Sequence, residues 1–130
     1  MTTNLPFMHH VGFYASDFEA SQRIFTAALE TLHITAGYRT DSFVEFWPEG
    51  GDDTPSFALE PADDPSKVTR RAHVAFSAPH RAAVDAFHEA AVAAGAVSRH
   101  APRFWPEYRA YCAFLRDPDQ NNIEALHKEL

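Results

Sequence analysis

A chain of 130 residues and 14.5 kDa holds one ordinary domain, or two small halves that share a core. Hydrophobic residues at 45% and charged residues at 22% exclude extended disorder, and no apolar run approaches the roughly 20 residues of a membrane-spanning helix. A net charge of −7, with Lys and Arg scattered along the chain, speaks against nucleic acid or a membrane as partner and leaves small molecules.

The first strand-like piece is His10-Val11-Gly12-Phe13-Tyr14-Ala15. After it, Ser16-Asp17-Phe18-Glu19 fits a capping box with Ser16 as N-cap. A helix is predicted from about Asp17 to Leu32, with Phe18, Phe25, Leu29 and Leu32 as its buried stripe. Strands follow at Ile34 to Arg39, Phe43 to Trp47 and Ser56 to Glu60, parted by turn-rich segments. A break near Asp63 to Thr69 ends the first half, and the pattern then restarts. His73-Val74-Ala75-Phe76-Ser77-Ala78 matches the first strand position for position, 63 positions on, about half the chain. The second helix is predicted from Pro79 to Ala94, with Pro79 in its first position and Gly95 just past its end. Its strands are Val97 to His100, Ala110 to Arg116 and Asn122 to His127, and Arg103-Phe104-Trp105-Pro106 reads as a loop near a cavity mouth. Each half is thus βαβββ, spanning 7–62 and 70–128 of a single domain 1–130. Neither buries enough core alone, so the halves should pack together.

Alternate side chains of a strand share a face. Val11 and Phe13, Val74 and Phe76, and Ile123 and Ala125 should take the helix side, since each helix has only that sheet to bury against. His10, His73 and Glu124 then fall on the open face. Two imidazoles and a carboxylate facing a cavity are the ingredients of a divalent metal site with positions left for substrate. The competing reading is a pair of ordinary sheet histidines and a salt-bridging glutamate. His9 has the opposite parity, and His33, His80, His88 and His100 show no ligand spacing. The single Cys112 rules out an internal disulfide and reads as a buried, inert thiol. With Met1 to Phe7 lacking a basic or apolar signal pattern, a cytoplasmic location is expected.

Four stretches resemble the vicinal oxygen chelate superfamily, which includes glyoxalases, fosfomycin-resistance transferases, extradiol dioxygenases and bleomycin-resistance proteins. They are His9 to Ser21, His73 to Phe76, Ala83 to Phe87 leading to Ala94-Gly95, and Arg116 to Glu124. In the last, Gln120 stands where the family usually has glycine. The resemblance implies an α+β fold, two paired βαβββ modules forming a curved mixed sheet around a cavity, with the helices on the outer face. It carries the family's metal positions onto His10, His73 and Glu124, for Ni, Zn, Mn or Fe. A fourth, glyoxalase-type ligand falls on Glu60, 50 positions after His10 as Glu124 is 51 after His73, with Ala58 the other occupant of that position.

Within that family, the extradiol pattern expects a tyrosine where Phe114 stands and a histidine before it, and Trp105 to Ala110 contains none. The implied activity is a small metalloenzyme of lyase or isomerase type. Its metal acts as a Lewis acid on two vicinal oxygens, and Glu124 or Glu60 serves as base. Tyr111 is a further candidate catalytic group, and Arg103, Tyr108, Phe46 and Trp105 are candidate substrate contacts. The alternatives are a bleomycin-resistance-like binding protein without turnover and an extradiol-type dioxygenase. A homodimer is expected, because two small modules leave sheet edges and an apolar face to cover.

Overall fold

Two amphipathic helices organise the chain: α1 (Phe18–Glu30) and α2 (Arg81–Ala93). The computed structural model describes residues 5–130, so the reading of Met1 to Phe7 falls partly outside it. On α1 the apolar stripe is Phe18, Ile24, Phe25, Ala28 and Leu29, and on α2 it is Ala83, Val84, Phe87 and Ala91, at the helical spacing that puts them on one side. Phe25 and Phe87 are fully buried. Truncating either to alanine costs about 3–5 kcal/mol.

Both helix starts differ from the sequence expectation. Asp17, not Ser16, caps α1, its carboxylate accepting the Ala20 N–H at 3.1 Å. Ser16 turns instead to Asp119 in the other half, so a tertiary hydrogen bond outcompetes the local box. α2 begins after His80, whose Nδ1 accepts the Ala83 N–H at 3.1 Å, with Pro79 just outside. Gly95 does take the left-handed conformation past the helix end, at φ 118°.

The strands β1 (His10–Ala15), β2 (Ile34–Thr40), β3 (Phe43–Pro48) and β4 (Ser56–Pro61) form one sheet in the order β1-β4-β3-β2. The strands β5 (His73–Ser77), β6 (Val97–Trp105), β7 (Ala110–Arg116) and β8 (Asn122–Lys128) form a second in the matching order β5-β8-β7-β6. In each, the first and last strands pair parallel and the rest antiparallel. This is the expected α+β fold of two βαβββ modules. β6 runs further than expected. Arg103 to Trp105, read as loop, pairs with Cys112 to Ala110 after register irregularities around His100. Pro102, which has no N–H to give a ladder, hides that continuation from the sequence pattern.

The helix-side faces of both sheets share one core with α1 and α2, and the two helices pack on each other. Phe57 of the first sheet meets Phe76 of the second edge to face at 5.6 Å. The closing turn reinforces that junction. Asp117 accepts the N–H groups of Asp119 at 2.9 Å and Asn121 at 2.8 Å. Asn121 donates to the Thr69 carbonyl at 2.9 Å, and its side-chain oxygen accepts the Ala72 N–H at 2.9 Å. Gln120 keeps the turn by adopting φ 66°, the conformation a glycine takes at less cost. Among the described residues no helix is long and apolar enough to cross a membrane.

Candidate functional site

With the apolar residues drawn to the helices, each sheet presents its other face outward. On the second sheet that face is ordered in rows, because directly paired residues point the same way. The first row is His73, Asn122 and Arg116. The next is Ala75, Glu124, Phe114 and His100, and the next Ser77, Leu126, Cys112 and Arg103. Ala110 and Trp105 pair beyond these.

Glu124 lies at the centre, 5% exposed. A buried carboxylate needs a compensating partner. His73 provides one, its Nε2 lying 2.7 Å from Glu124 Oε1, while half of the imidazole stays open to solvent. Cys112, fully buried, stands in the next row of the same face. Burial first, and then Glu124, push the Cys112 thiol up to about 12, so it is protonated and unreactive. The Phe114 ring packs against His73, His100 and Trp105. Trp105 in turn stacks on Tyr108, and the Arg103 guanidinium lies 3.3 Å from the Trp105 ring centre. Arg103, Tyr108 and Trp105 therefore form one aromatic and cationic cluster on the face that holds Glu124. The Trp105 indole N–H is buried without a partner among the described residues.

His10 occupies the equivalent face of the first sheet, where its Nδ1 lies 3.1 Å from that of His9. It borders a cleft shared with Glu45, Asp53, Ala58 and Glu60. Register settles which residue mirrors Glu124. Glu124 stands opposite Ala75, two past His73, and Ala58 stands opposite Gly12, two past His10. Glu60 lies one pleat further, opposite Tyr14. The carboxylate nearest to Ala58 across the sheet is Glu45 on β3, which accepts a hydrogen bond from the Ser56 hydroxyl. Sequence reasoning passed over Glu45, although the alternation with buried Val44 and Phe46 marks it as facing outward.

His10 and the His73–Glu124 pair are thus on the same kind of face but on different sheets, which are not joined by strand pairing. Among the described residues no group of three His, Cys, Asp or Glu side chains converges as a metal cluster. An imidazole and a carboxylate in direct contact suit a divalent cation as two of its donors. Among the described residues of one chain a third does not join them.

Two other candidates lie elsewhere. Tyr111 faces the helices, where its hydroxyl donates to Asp85 at 2.7 Å under the Arg81 guanidinium. That bond to Asp85, first, and burial raise its pKa. Phe46 is buried in the core at 1% exposure and borders a cavity of about 350 Å³ between the modules. That cavity is mostly apolar, walled by Val11, Ile34, Phe57, Val74 and Phe76, with His10 and Ser56 at its edge.

A sequence model of the Glyoxalase/Bleomycin resistance protein/Dioxygenase superfamily matches residues 7–125. A glyoxalase/bleomycin resistance protein from Albidiferax ferrireducens is 30% identical, with a TM-score of 0.78 over 95% of this chain and 99% of its own. A glyoxylase/bleomycin resistance protein/dioxygenase domain from Frankia shares 22% identity and a TM-score of 0.70, over 97% of this chain and 100% of its own. Lactoylglutathione lyase from Agrobacterium tumefaciens shares 19% identity and a TM-score of 0.62, over 94% of each chain, a likeness of fold. No curated protein matches the chain.

Proposed function

The chain belongs to the glyoxalase/bleomycin resistance protein/dioxygenase superfamily, and from that premise we propose that it is a glyoxalase-like metalloenzyme of lyase or isomerase type. Its substrate is a small oxygenated molecule that chelates a divalent metal. The observation that carries this reading is the His73–Glu124 pair, a buried carboxylate in direct contact with a half-open imidazole at 2.7 Å.

His73 Nε2 and Glu124 Oε1, 2.7 Å apart, are the two atoms that would hold the cation. Bound there, Ni, Zn, Mn or Fe supplies Lewis acidity towards two vicinal oxygens of the substrate. Glu124 is also the base of this face, able to take a proton from a carbon next to a carbonyl. Phe114 and Leu126 stand beside it on the same face and exclude water. A homodimer completes the donor set, with His10 of a second copy, accompanied by Glu45 or Glu60, brought to the His73–Glu124 face.

The test is metal content by mass spectrometry on untagged protein, with sedimentation giving the oligomeric state. About one divalent metal per chain is expected, lost in His73→Ala and in His10→Ala. Absence of metal after soaking, with His73→Ala indistinguishable from the parent, would sink the enzyme reading. The apolar inter-module cavity favours a second reading, a small-molecule binding protein without turnover. Aromatic ligands that bind the metal-free chain and are lost in Phe76→Ala would support it. The dioxygenase alternative lacks its tyrosine, since Phe114 stands at that position beside Glu124.

A further inference from the structure

We propose that the cleft at the His73 end of the second sheet is an oxyanion subsite, in which Arg71, Arg99 and Arg116 hold a phosphate or carboxylate group of the ligand. The preceding reading is needed here in one respect. His73 belongs both to this cleft and to the Glu124 pair, so an anion held here is the tail of a molecule whose head reaches Glu124.

The three arginines are far apart in sequence and come together through strand order. Arg116 ends β7 and pairs with Asn122, which pairs with His73 on its other side. Arg99 comes from β6, and Arg71 from the segment that leads into β5. All three line one cleft of about 440 Å³ together with His73, Gln120 and Asn122.

Their charge is uncompensated. Among the described residues none of the three makes an ion pair, although the chain carries 18 acidic residues and a net charge of −7. Lining residues include no Asp or Glu. Like charges around one cleft oppose one another, and an anion bound among them relieves that repulsion. Guanidinium forks are also the donors whose geometry matches carboxylate and phosphate oxygens.

Backbone strain points to the same place. Among the described residues four non-glycine residues take positive φ, and two of them, Arg71 at 57° and Gln120 at 66°, line this cleft. Such conformations cost roughly 1–2 kcal/mol each and persist where the surroundings fix them, often at binding sites. Asn122, also at the cleft, has a buried side-chain oxygen without a partner among the described residues. An amide whose hydrogen bonds are incomplete is a further polar group for a ligand to engage.

The experiment is calorimetric titration of inorganic phosphate, and in parallel malonate, into the full chain stripped of metal by a chelator. Saturable binding at one site is expected. Arg99→Ala and Arg116→Ala should each weaken it roughly tenfold or more. Arg23→Ala, on α1 and bordering another part of the surface, removes the same charge and should change it less than about twofold. All three arginines are exposed, so circular dichroism should show each variant folded. Tighter phosphate than malonate assigns a phosphorylated ligand, and the reverse a carboxylate. Failure of both anions to saturate, or equal weakening by Arg23→Ala, overturns the subsite. So does a loss of dimer in the arginine variants with anion binding unchanged, which would make the cluster an interface. Metal content separates this from the preceding reading. Arg99→Ala should keep its metal, and His10→Ala, which lies outside this cleft, should keep phosphate binding within a few-fold. A metal-free protein that still binds phosphate through these arginines would leave the subsite standing alone.

Discussion

Replacing Asp119 tests whether the closing turn clamps the two modules. Asp119 is 2% exposed and accepts both the backbone N–H of Ser16, at 3.0 Å, and its hydroxyl, across a separation of 103 residues. Hydrogen bonds to an ionised acceptor contribute about 1.5–3 kcal/mol each. Ser16 is exposed, so in Asp119→Ala water recovers part of that, leaving a loss of about 2–3 kcal/mol. For a domain of this size that lowers Tm by roughly 6–15 °C. Ser16→Ala removes the hydroxyl bond alone and should cost about 1 kcal/mol. Urea denaturation of the two single variants and the double variant gives the coupling directly, expected at about 1 kcal/mol or more. The transition should stay single, because both modules share one core. A coupling below about 0.3 kcal/mol would refute the clamp, since independent sites add to within that margin.

Gln120→Gly should raise stability by about 0.5–1 kcal/mol, because the exposed side chain makes no hydrogen bond and the left-handed backbone strains any residue with a Cβ. A thermal melt checks this, and an unchanged or lower Tm counts against a strained turn. Cys112, with its thiol pushed up to about 12, should resist a disulfide reagent at pH 8 in the folded protein and react at once in denaturant. Rapid labelling of the native chain would contradict the burial of this thiol. For Asp117, burial raises the pKa and outweighs the hydrogen bonds from Asn121 and Asp119 that lower it. The folded state then holds that proton more tightly than the unfolded state. Stability contributed at this site is present below the unfolded value, about 3.9, and is lost as pH rises through the folded value. Urea midpoints at pH 4 and pH 7 should therefore move in favour of Asp117→Asn relative to the parent as pH rises, and the opposite trend excludes this sign.

Much of the fold is legible because the chain repeats itself. The match between His10 to Ala15 and His73 to Ala78 announces two modules, and helical spacing in each predicts the layer that covers them. Local rules fail where a distant partner competes. Ser16 looks like an N-cap until Asp119, more than 100 residues away, takes it. Strand β6 looks finished at His100 because Pro102 interrupts the pattern, while pairing with β7 carries it on to Trp105. Tyr111 illustrates parity read without its consequence. It shares a face with Ala113 and Leu115, the buried helix side, and that alone sends its hydroxyl towards α2 and Asp85.

Parity places a side chain on a face, but it does not say which faces meet. That limit explains why His10, His73 and Glu124 could be read as one set from the sequence while the fold gives each module its own outward face. The repeat then becomes informative through its asymmetry. At the register position of Glu124 the first module has Ala58, and its carboxylates sit instead at Glu45, one strand over, and Glu60, one pleat on. Opposite His10 it has Ser56, where the second module has Asn122 leading to Arg116. The second module thus gathers on one surface Arg116, the His73–Glu124 pair and the Phe114 and Trp105 rings. The first module offers His10 with Glu45 and Glu60 at one cleft, and no arginine lines it.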